Sequence, residues 1–532
     1  MLLVGDLSGI QDYLLDIADQ AGGQSRRLRA RSFFLQIVAE IAALRLLRAA
    51  GWPLDRILLR AAGKFILQGP SLSLAARQNV EAEGQEIARW LLEHSGARVR
   101  LSLLLEEEEG TPQEQYHRAM QALQQAKCRP LSALFTANGI WDPSFLILDP
   151  ITPPCAICQR RRATQREADA DNQPLSLCVS CALDLKIGAE LPRANWMVVR
   201  SPSANTPFDI LGLGVKLESS EPAPLPEDLC LFSLSGGSAR YRGSTSVLLR
   251  PLSRYIPREQ DGSPFDFDAL AAASLGAPYL GILKMDADSL GKTIQQQLQK
   301  AEDLQPLAVL SARLDDFFAW RLDSELAKPE WASIYTIFSG GDDLLLVGPW
   351  NVLFDYAFHV HQLFRQAFAD LELTISAGMA IVPRKTPIRR AVEQADRLLD
   401  KAKTEPPEQG RNQFATLGQV WKWEQHERIT HWAKCLARWV SGNAAERGWL
   451  QTLLQMTEAR EKEPLTTARL VSHVERNYPR SEDRDPNRRA LRKWIDQITR
   501  DFDAQQRTET RYLPAILRYA LMATRTSTGE QP

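Results

Sequence analysis

The sequence predicts an α+β chain in which one β-α-β-β-α-β unit occurs twice, with a cysteine-bearing segment between the copies and a helical region after them. Three observations predict it. Residues 1–110 and 277–418 carry the same order of strand-like and helix-like apolar patterns. Two C-x-x-C pairs stand between them, at Cys155, Cys158, Cys178 and Cys181. From about residue 420 onward, Ile429, Trp432, Leu436, Trp439 and Val440 fall on one helical face.

The first unit opens on the strand "MLLVGDLS". A long helix follows, with Phe33, Ile37, Ile41, Leu44 and Leu47 at helical spacing. "RILLRAAGKFILQG" reads as strand, turn and strand, with Gly63 at the turn. A helix over residues 73–95 and the alternating strand "ARVRLSLLL" complete the order, which is the ferredoxin-like arrangement. The acidic run Glu106 to Glu109 and Thr111-Pro112 close the unit at about residue 110. Residues 111–276 hold a polar helix, the cysteines and a Pro-, Gly- and Ser-rich stretch with strands at "NWMVVRS" and "DLCLFSL". In the second unit, 277–418, the strand "APYLGILKMDAD" ends in acids. A hairpin, "YTIFSGGDDLLLVGPW", forms its centre, and "PIRRAVEQADRLLDKAK" is its last helix. A duplicated fold is implied. Residues 419–532 are helical, and the six tryptophans there, of thirteen in the chain, are expected in the core.

A chain of 532 residues has room for roughly three or four domains at ~150 residues each. Hydrophobic residues at 44% and charged residues at 24% are ordinary globular composition. No apolar run reaches the ~20 residues that span a bilayer, and the first residues lack the basic start and apolar stretch of a signal peptide. A cytoplasmic protein with no membrane partner is expected. Net charge is −1, so total charge does not point to nucleic acid. Arginines cluster at residues 26–31, 160–166 and 484–492, and each cluster is either a solvated helix face or a phosphate-binding surface. Cys128, Cys230 and Cys435 stand alone and are expected to be small buried residues.

The spacing C-x2-C-x19-C-x2-C fits a zinc ribbon. Four thiolates close a tetrahedral shell, so Zn²⁺ here would stabilise the fold and leave no open position for chemistry. Asp286 and Asp288 end one strand, while Asp342 and Asp343 follow Gly340 and Gly341 on the hairpin expected beside it. Bare adjacent carboxylates repel and are costly to bury, so a cation is expected among them. Mg²⁺ or Mn²⁺ suits such oxygens, and two ions ~3.5–4 Å apart can activate a hydroxyl and stabilise a leaving pyrophosphate. The glycines allow a tight turn and close approach of a triphosphate. An acidic surface turn is the competing reading. Lys401 or Lys403, before "GRN", can offset phosphate charge. The first unit has Gly63 and Lys64 where the second has its hairpin aspartates, and a single Asp6 on its opening strand, so it cannot hold two metal ions in the same way.

In order along the chain, "GDLSGIQDYL", the paired C-x-x-C, "GILKMDADSLGK", "FSGGDDLLLVGPW" and "AGMAIVPRKTPIRRAVEQADRLLDKAK" resemble the large polymerase/cyclase-like subunit of type III CRISPR–Cas effector complexes, subtype III-A (Csm) above all. The last palm also resembles a GGDEF-type nucleotide cyclase domain. The resemblance implies two facing ferredoxin-like palms, a zinc-bearing domain between them and a C-terminal helical bundle. It implies a crRNA-guided ribonucleoprotein that converts ATP into cyclic oligoadenylates on binding target RNA. Small helical subunits and the subunit that holds the crRNA 5′ end are the implied partners. Asp286, Asp288, Asp342 and Asp343 would be the catalytic metal ligands, and Ser8 and Gly9 would lie near a nucleotide in the first palm. Most members of the family begin with a His-Asp phosphohydrolase domain that cuts single-stranded DNA. None of the seven histidines here is followed by Asp, so no DNase activity is expected in this chain, although a separate polypeptide could supply it. A catalytically silent scaffold and a stand-alone nucleotide cyclase are the alternative functions.

Overall fold

The computed structural model describes residues 1–16, 24–135 (without 62 and 108), 140, 153–168, 174–201, 206–234 (without 224 and 227), 240–242, 245–249, 255–258, 264–406, 410–459, 472–473, 475–477, 485–503 and 511–525. The chain is a mixed α and β protein with several sheets. It forms two compact units. The first is Met1–Ile256 with Ser289–Pro329 and Tyr335–Leu345, and the second is Pro257–Asp288 with Glu330–Ile334 and Leu346–Pro532. Among the described residues, no helix is long and apolar enough to cross a membrane.

The chain opens with β1 (Leu2–Ser8), α1 (Ile10–Leu14), α2 (Gln24–Ala50), β2 (Ile57–Ala61), β3 (Lys64–Gln68), α3 (Leu74–Ser95) and β4 (Arg100–Glu106). The strands stand in the order β2-β3-β1-β4, and β1 runs antiparallel to both neighbours. Ser73 caps α3 through the Ala76 N–H, and Gly96 in the left-handed region ends it. Thr111 and Glu114 form a capping box that starts α4 (Pro112–Lys127). A small hairpin of β5 (Gln165–Ala168) and β6 (Pro174–Leu177) precedes α5 (Val179–Glu190). Then come β7 (Trp196–Arg200), β8 (Phe208–Ile210), β9 (Leu213–Glu218), β10 (Asp228–Ser233), β11 (Arg240–Arg242) and β12 (Thr245–Leu249), in a sheet of order β11-β12-β10-β7-β9-β8. Sequence patterning predicts only β7 and β10 of these. The other four lie in Gly-, Pro- and Ser-rich text, where turn residues interrupt the alternation, and β8 and β11 have only three residues each.

After α6 (Phe267–Ala272) the chain forms β13 (Tyr279–Ala287), α7 (Leu290–Gln299) and α8 (Gln305–Asp315), then a π-helical turn, Asp316–Arg321, and α9 (Leu322–Leu326). The hairpin follows as β14 (Tyr335–Gly340) and β15 (Asp343–Pro349), then α10 (Trp350–Ala367), β16 (Ile375–Pro383), α11 (Ile388–Thr404), β17 (Gln413–Thr416) and β18 (Gln419–Lys422). The sheet order is β14-β15-β13-β16-β17-β18. In the second unit α11 lies so close over β16 that a Cβ on Gly378 would sit 2.2 Å from the Leu399 nitrogen. The remaining helices are α12 (His426–Ser441), α13 (Arg447–Ala459), Pro486–Asp503 and Leu513–Ala523. Of the six tryptophans expected in the core, Trp421, Trp423, Trp439, Trp449 and Trp494 are buried and Trp432 is half-buried, and Trp421 lies on β18 rather than on a helix. Cys230 and Cys435 are buried too, whereas Cys128 is exposed.

The arginines at residues 26–31, near the start of α2, are neither a solvated face nor a phosphate surface. Arg27, Arg29 and Arg31 are buried. Arg26 Nε donates to the Leu185 carbonyl at 2.9 Å, and Arg29 Nη2 to the Gly188 carbonyl at 2.9 Å. Arg31 Nε meets Asp184 Oδ2 at 2.9 Å, and its Nη1 donates to the carbonyls of Tyr13 at 2.8 Å and Asp16 at 2.7 Å. Gly188 permits this approach, since a Cβ there would lie 2.4 Å from the Arg26 carbonyl oxygen. These bonds fasten α2 to α5. Burial pushes the Asp184 carboxyl up, and Arg31 pulls it back down.

In the second unit a separate apolar centre surrounds two histidines. His361 stacks on Trp423 with centroids 4.7 Å apart, and His426 on Phe358 at 4.8 Å. Burial pushes His361 down to about 4, helped by Arg365 and opposed by a hydrogen bond with Asn412. It pushes His426 down to about 3.

Two expectations follow from these buried groups. Asp184→Ala strands a buried guanidinium and should cost on the order of 3–5 kcal/mol, whereas Arg31→Met with Asp184→Leu should recover most of it. Melting temperatures of the three variants check this, and a single variant within about 1 kcal/mol of the parent contradicts it. Unfolded histidines take up a proton near about 6.5, whereas His361 and His426 stay neutral well below that, so the unfolded chain binds more protons in the window between. Stability is therefore complete above that window and falls as pH drops through it. The melting temperature should decline from pH ~7.5 to ~5, and less steeply in His361→Phe. Equal slopes for parent and variant would show that His361 does not contribute.

Candidate functional site

Successive side chains of a strand alternate in direction, so Lys284 and Asp286 of β13 share one face, and Asp288 follows one residue past the strand end. Each meets α11 or the turn that follows it. Buried Lys284 pairs with Asp396, and half-buried Asp286 pairs through Oδ2 with Lys403 Nζ. Asp288, 3% exposed, accepts from Ser376 Oγ at 2.7 Å on one oxygen, and from Thr374 Oγ1 at 2.8 Å and the Asn412 N–H at 2.9 Å on the other. Arg411 and Asn412 both have positive φ, 74° and 51°. The Arg411 N–H donates to the Ala402 carbonyl at 2.9 Å, which ties this turn to the last turn of α11. Of the two lysines considered above, Lys403 reaches the acid of β13, while Lys401 is exposed. Asp396 of α11 is engaged by Lys284.

The hairpin residues belong to the first unit. Gly340 ends β14, Gly341 takes φ 68°, and Asp342 and Asp343 are half-buried at the turn and at the start of β15. Ser339 Oγ donates to the Phe318 carbonyl and so pins β14 to the π-helical turn. A cavity within this unit is bordered by Glu40, Arg60, Gly63, Lys64, Gly340 and Gly341, so the hairpin glycines and the β2–β3 turn share it.

The two opening strands match in register. Asp286 stands opposite Ser376 on β16, and Asp6 stands opposite Ser102 on β4. Their partners differ. Asp6, 6% exposed, lies 2.5 Å from Lys127 Nζ and 4.0 Å from Lys64 Nζ, and Lys64 is its cross-strand neighbour on β3. Ammonium groups thus balance this carboxylate. Ser8 lies opposite Arg100. Gly9 has φ 81°, and a Cβ there would stand 1.9 Å from the Arg98 carbonyl oxygen, so its immediate role is close packing.

Cys155, Cys158, Cys178 and Cys181 come together with their sulfurs within 4.8 Å of one another, and Cys158 and Cys178 are 3.9 Å apart. Among the described residues this is the one set of three or more His, Cys, Asp or Glu side chains so grouped. Sulfurs at ~2.3 Å from a tetrahedral Zn²⁺ stand about 3.8 Å apart, so the donor set fits that ion. Hydrogen bonds from Cys158, Cys178 and Cys181 hold Cys155 well below the ordinary thiol range. A cation at the centre would do the same for all four. Arg161 Nη1 reaches Ser180 Oγ at 2.6 Å, and Arg160 meets Asp16 at 3.3 Å, so two of the arginines beside the cysteines have partners within the fold.

Lys284, Lys127, Thr374 and Ser376 were not singled out from sequence. Lys284 could have been, because it lies two residues before Asp286 on the same strand face. Lys127 ends a polar helix and gives no such signal.

The description "Cas10/Cmr2, second palm domain" matches residues 279–415, and "Csm1 subunit domain B" matches residues 1–137. A Thermococcus onnurineus (strain NA1) protein named CRISPR system single-strand-specific deoxyribonuclease Cas10/Csm1 (subtype III-A) is 23% identical over 504 residues, covering 87% of this chain and 62% of that protein. A Mycobacterium tuberculosis (strain ATCC 25618 / H37Rv) protein of the same name is 26% identical over 537 residues, covering 90% and 62%. The chain thus spans about 62% of the length of these curated relatives. In fold it resembles a Csm1–Csm4 cassette in complex with AMPPNP, with TM-score 0.73, 20% identity and coverage of 98% of this chain and 69% of that one. A Csm1–Csm4 cassette in complex with cA4 gives TM-score 0.72, 19% identity and coverage of 98% and 70%.

Proposed function

Because this chain is a Csm1-like protein of CRISPR subtype III-A, we propose that it is a metal-dependent nucleotidyltransferase that converts ATP into cyclic oligoadenylates. It acts as a subunit of a crRNA-guided ribonucleoprotein that responds to target RNA, beside small helical subunits and the subunit that binds the crRNA 5′ end. The relatives solved as Csm1–Csm4 cassettes with AMPPNP or cA4 support both the nucleotide and the partner. Residues 1–110 and 277–418 are two ferredoxin-like palms, with a zinc-bearing segment in 111–276 and a helical region over 419–532. The two sheets, which share a hairpin–opening strand–closing strand order, support this division.

The observation that carries the reading is the Asp286–Lys403 pair. It joins a carboxylate at a strand end to an ammonium at a helix end, the two groups needed for metal and phosphate. Asp286, Asp342 and Asp343 offer hard oxygen donors that suit Mg²⁺ or Mn²⁺. Two such ions would supply activation of the 3′-hydroxyl and charge neutralisation for the leaving pyrophosphate. Lys403 offsets the charge of a triphosphate oxygen. Gly341 takes the left-handed conformation that a tight turn needs, and open space at Gly340 lets a polyphosphate come close. In the first palm, Lys64 and Lys127 fill the role of cations at Asp6, so that copy is the degenerate one. Cys155, Cys158, Cys178 and Cys181 hold Zn²⁺ for stability.

In the assembled complex with Mg²⁺, labelled ATP and target RNA, Asp342→Ala with Asp343→Ala should lower oligoadenylate synthesis by at least ~100-fold without disturbing assembly. Undiminished synthesis would remove these residues from the site. Elemental analysis of the purified chain should give one zinc per polypeptide. Cys158→Ser should lose it and melt at a lower temperature. A metal-free chain whose melting temperature ignores chelators contradicts the zinc assignment.

A further inference from the structure

We propose that Asp288 is not a metal ligand but the positioning residue that fixes Asp286 opposite Lys403. This rests on the reading of Asp286 as a ligand and refines it. The argument begins with the capacity of a carboxylate. Two oxygens offer about four acceptor sites. On Asp288 three are filled, by the hydroxyls of Ser376 and Thr374 and the N–H of Asn412, at 2.7, 2.8 and 2.9 Å. Both oxygens are engaged and the side chain is 3% exposed, whereas Asp286 is half-buried. A divalent ion reaching Asp288 would have to strip donors from a buried anion, and those donors would then be buried without acceptors.

The three donors come from different parts of the chain. Thr374 and Ser376 bracket the start of β16, and Asn412 ends the turn after α11. The backbone joins in, because the Asp288 N–H donates to the Thr374 carbonyl at 2.8 Å. Asn412 is the second of two consecutive left-handed residues, a conformation that carries a steric penalty, larger for Arg411 than for Asn412. The charged hydrogen bond from its N–H to Asp288 opposes that penalty. Lys422 Nζ holds the Arg411 carbonyl at 2.8 Å from the other side. The Arg411 N–H then anchors the Ala402 carbonyl, one residue before Lys403. A continuous path therefore runs from Asp288 through Asn412, Arg411 and Ala402 to Lys403. The other end of the path is Asp286, two residues before Asp288 in the chain.

Asparagine separates a ligand from a positioning post. In Asp288→Asn the amide oxygen can accept from Asn412 and Thr374, and the Ser376 hydroxyl can rotate to accept from the amide N–H. The full-length chain is titrated with Mn²⁺ alone, free ion being read by electron paramagnetic resonance. Amide exchange of residues 410–413 is followed by mass spectrometry. Asp288→Asn should bind Mn²⁺ within about threefold of the parent and keep the slow exchange. Asp286→Asn should weaken Mn²⁺ by more than tenfold with exchange unchanged. Asp288→Ala should lose the exchange protection and weaken Mn²⁺ part-way. In the assembled complex, asparagine at 288 should restore most of the ATP turnover that alanine removes. Asp288→Asn losing Mn²⁺ as severely as Asp286→Asn makes Asp288 a ligand and overturns the proposal. So does unchanged exchange in Asp288→Ala. If instead Asp286→Asn binds Mn²⁺ like the parent, the metal site proposed above fails, while the exchange data still decide whether Asp288 holds the turn.

Discussion

A row of charge on β13 and just past its end organises the second unit. Lys284 meets Asp396, Asp286 meets Lys403, and Asp288 meets two hydroxyls and the Asn412 N–H. Buried or half-buried charges demand partners, so α11 and the turn after it have little freedom in where they lie. The same demand explains the close seam between α11 and β16. Gly378 lets the helix descend until its polar residues reach the next strand over, because no side chain intervenes. Apolar packing beneath supplies the drive, and the charges supply the register.

The two sheets are variations on one plan. Each sets its opening strand between a hairpin and a closing strand, and each sets an aspartate of the opening strand opposite a serine. What differs is the cation. Asp286 has an ammonium from the helix after the closing strand, and Asp6 has two, one from its hairpin and one from α4. In the first copy charge balance comes from the chain alone. In the second, the ammonium comes from a single lysine.

Much of this was legible in sequence. The cysteine spacing specified a four-sulfur cluster, because two C-x-x-C turns each bring a pair of thiols together and the loop between needs only to close. The "DAD" strand end singled out Asp286 and Asp288, because carboxylates after an apolar strand are costly without partners, and the structure gives them Lys403, Thr374, Ser376 and Asn412. What stayed hidden depended on partners remote in the chain. Arg26, Arg29 and Arg31 look like a basic surface until α5, more than 150 residues on, supplies carbonyls and Asp184. The same distance effect hid Lys127 as a partner of Asp6, and Thr374 and Ser376 as partners of Asp288. Lys401 and Lys403 could not be told apart, since both lie in the final turn of α11 and only the strand beneath distinguishes them. The strands β8, β9, β11 and β12 escape sequence reading because the text around them is rich in turn residues, and β8 and β11 are brief as well.

The lysines around Asp6 have one more implication. Their charge is carried on covalent side chains and arrives with translation, so the first sheet balances Asp6 as it folds without a dissociable ion. Dialysis cannot strip it and starvation for magnesium cannot empty it. That half of the plan has become a permanent fixture, and only a change in the gene can undo it.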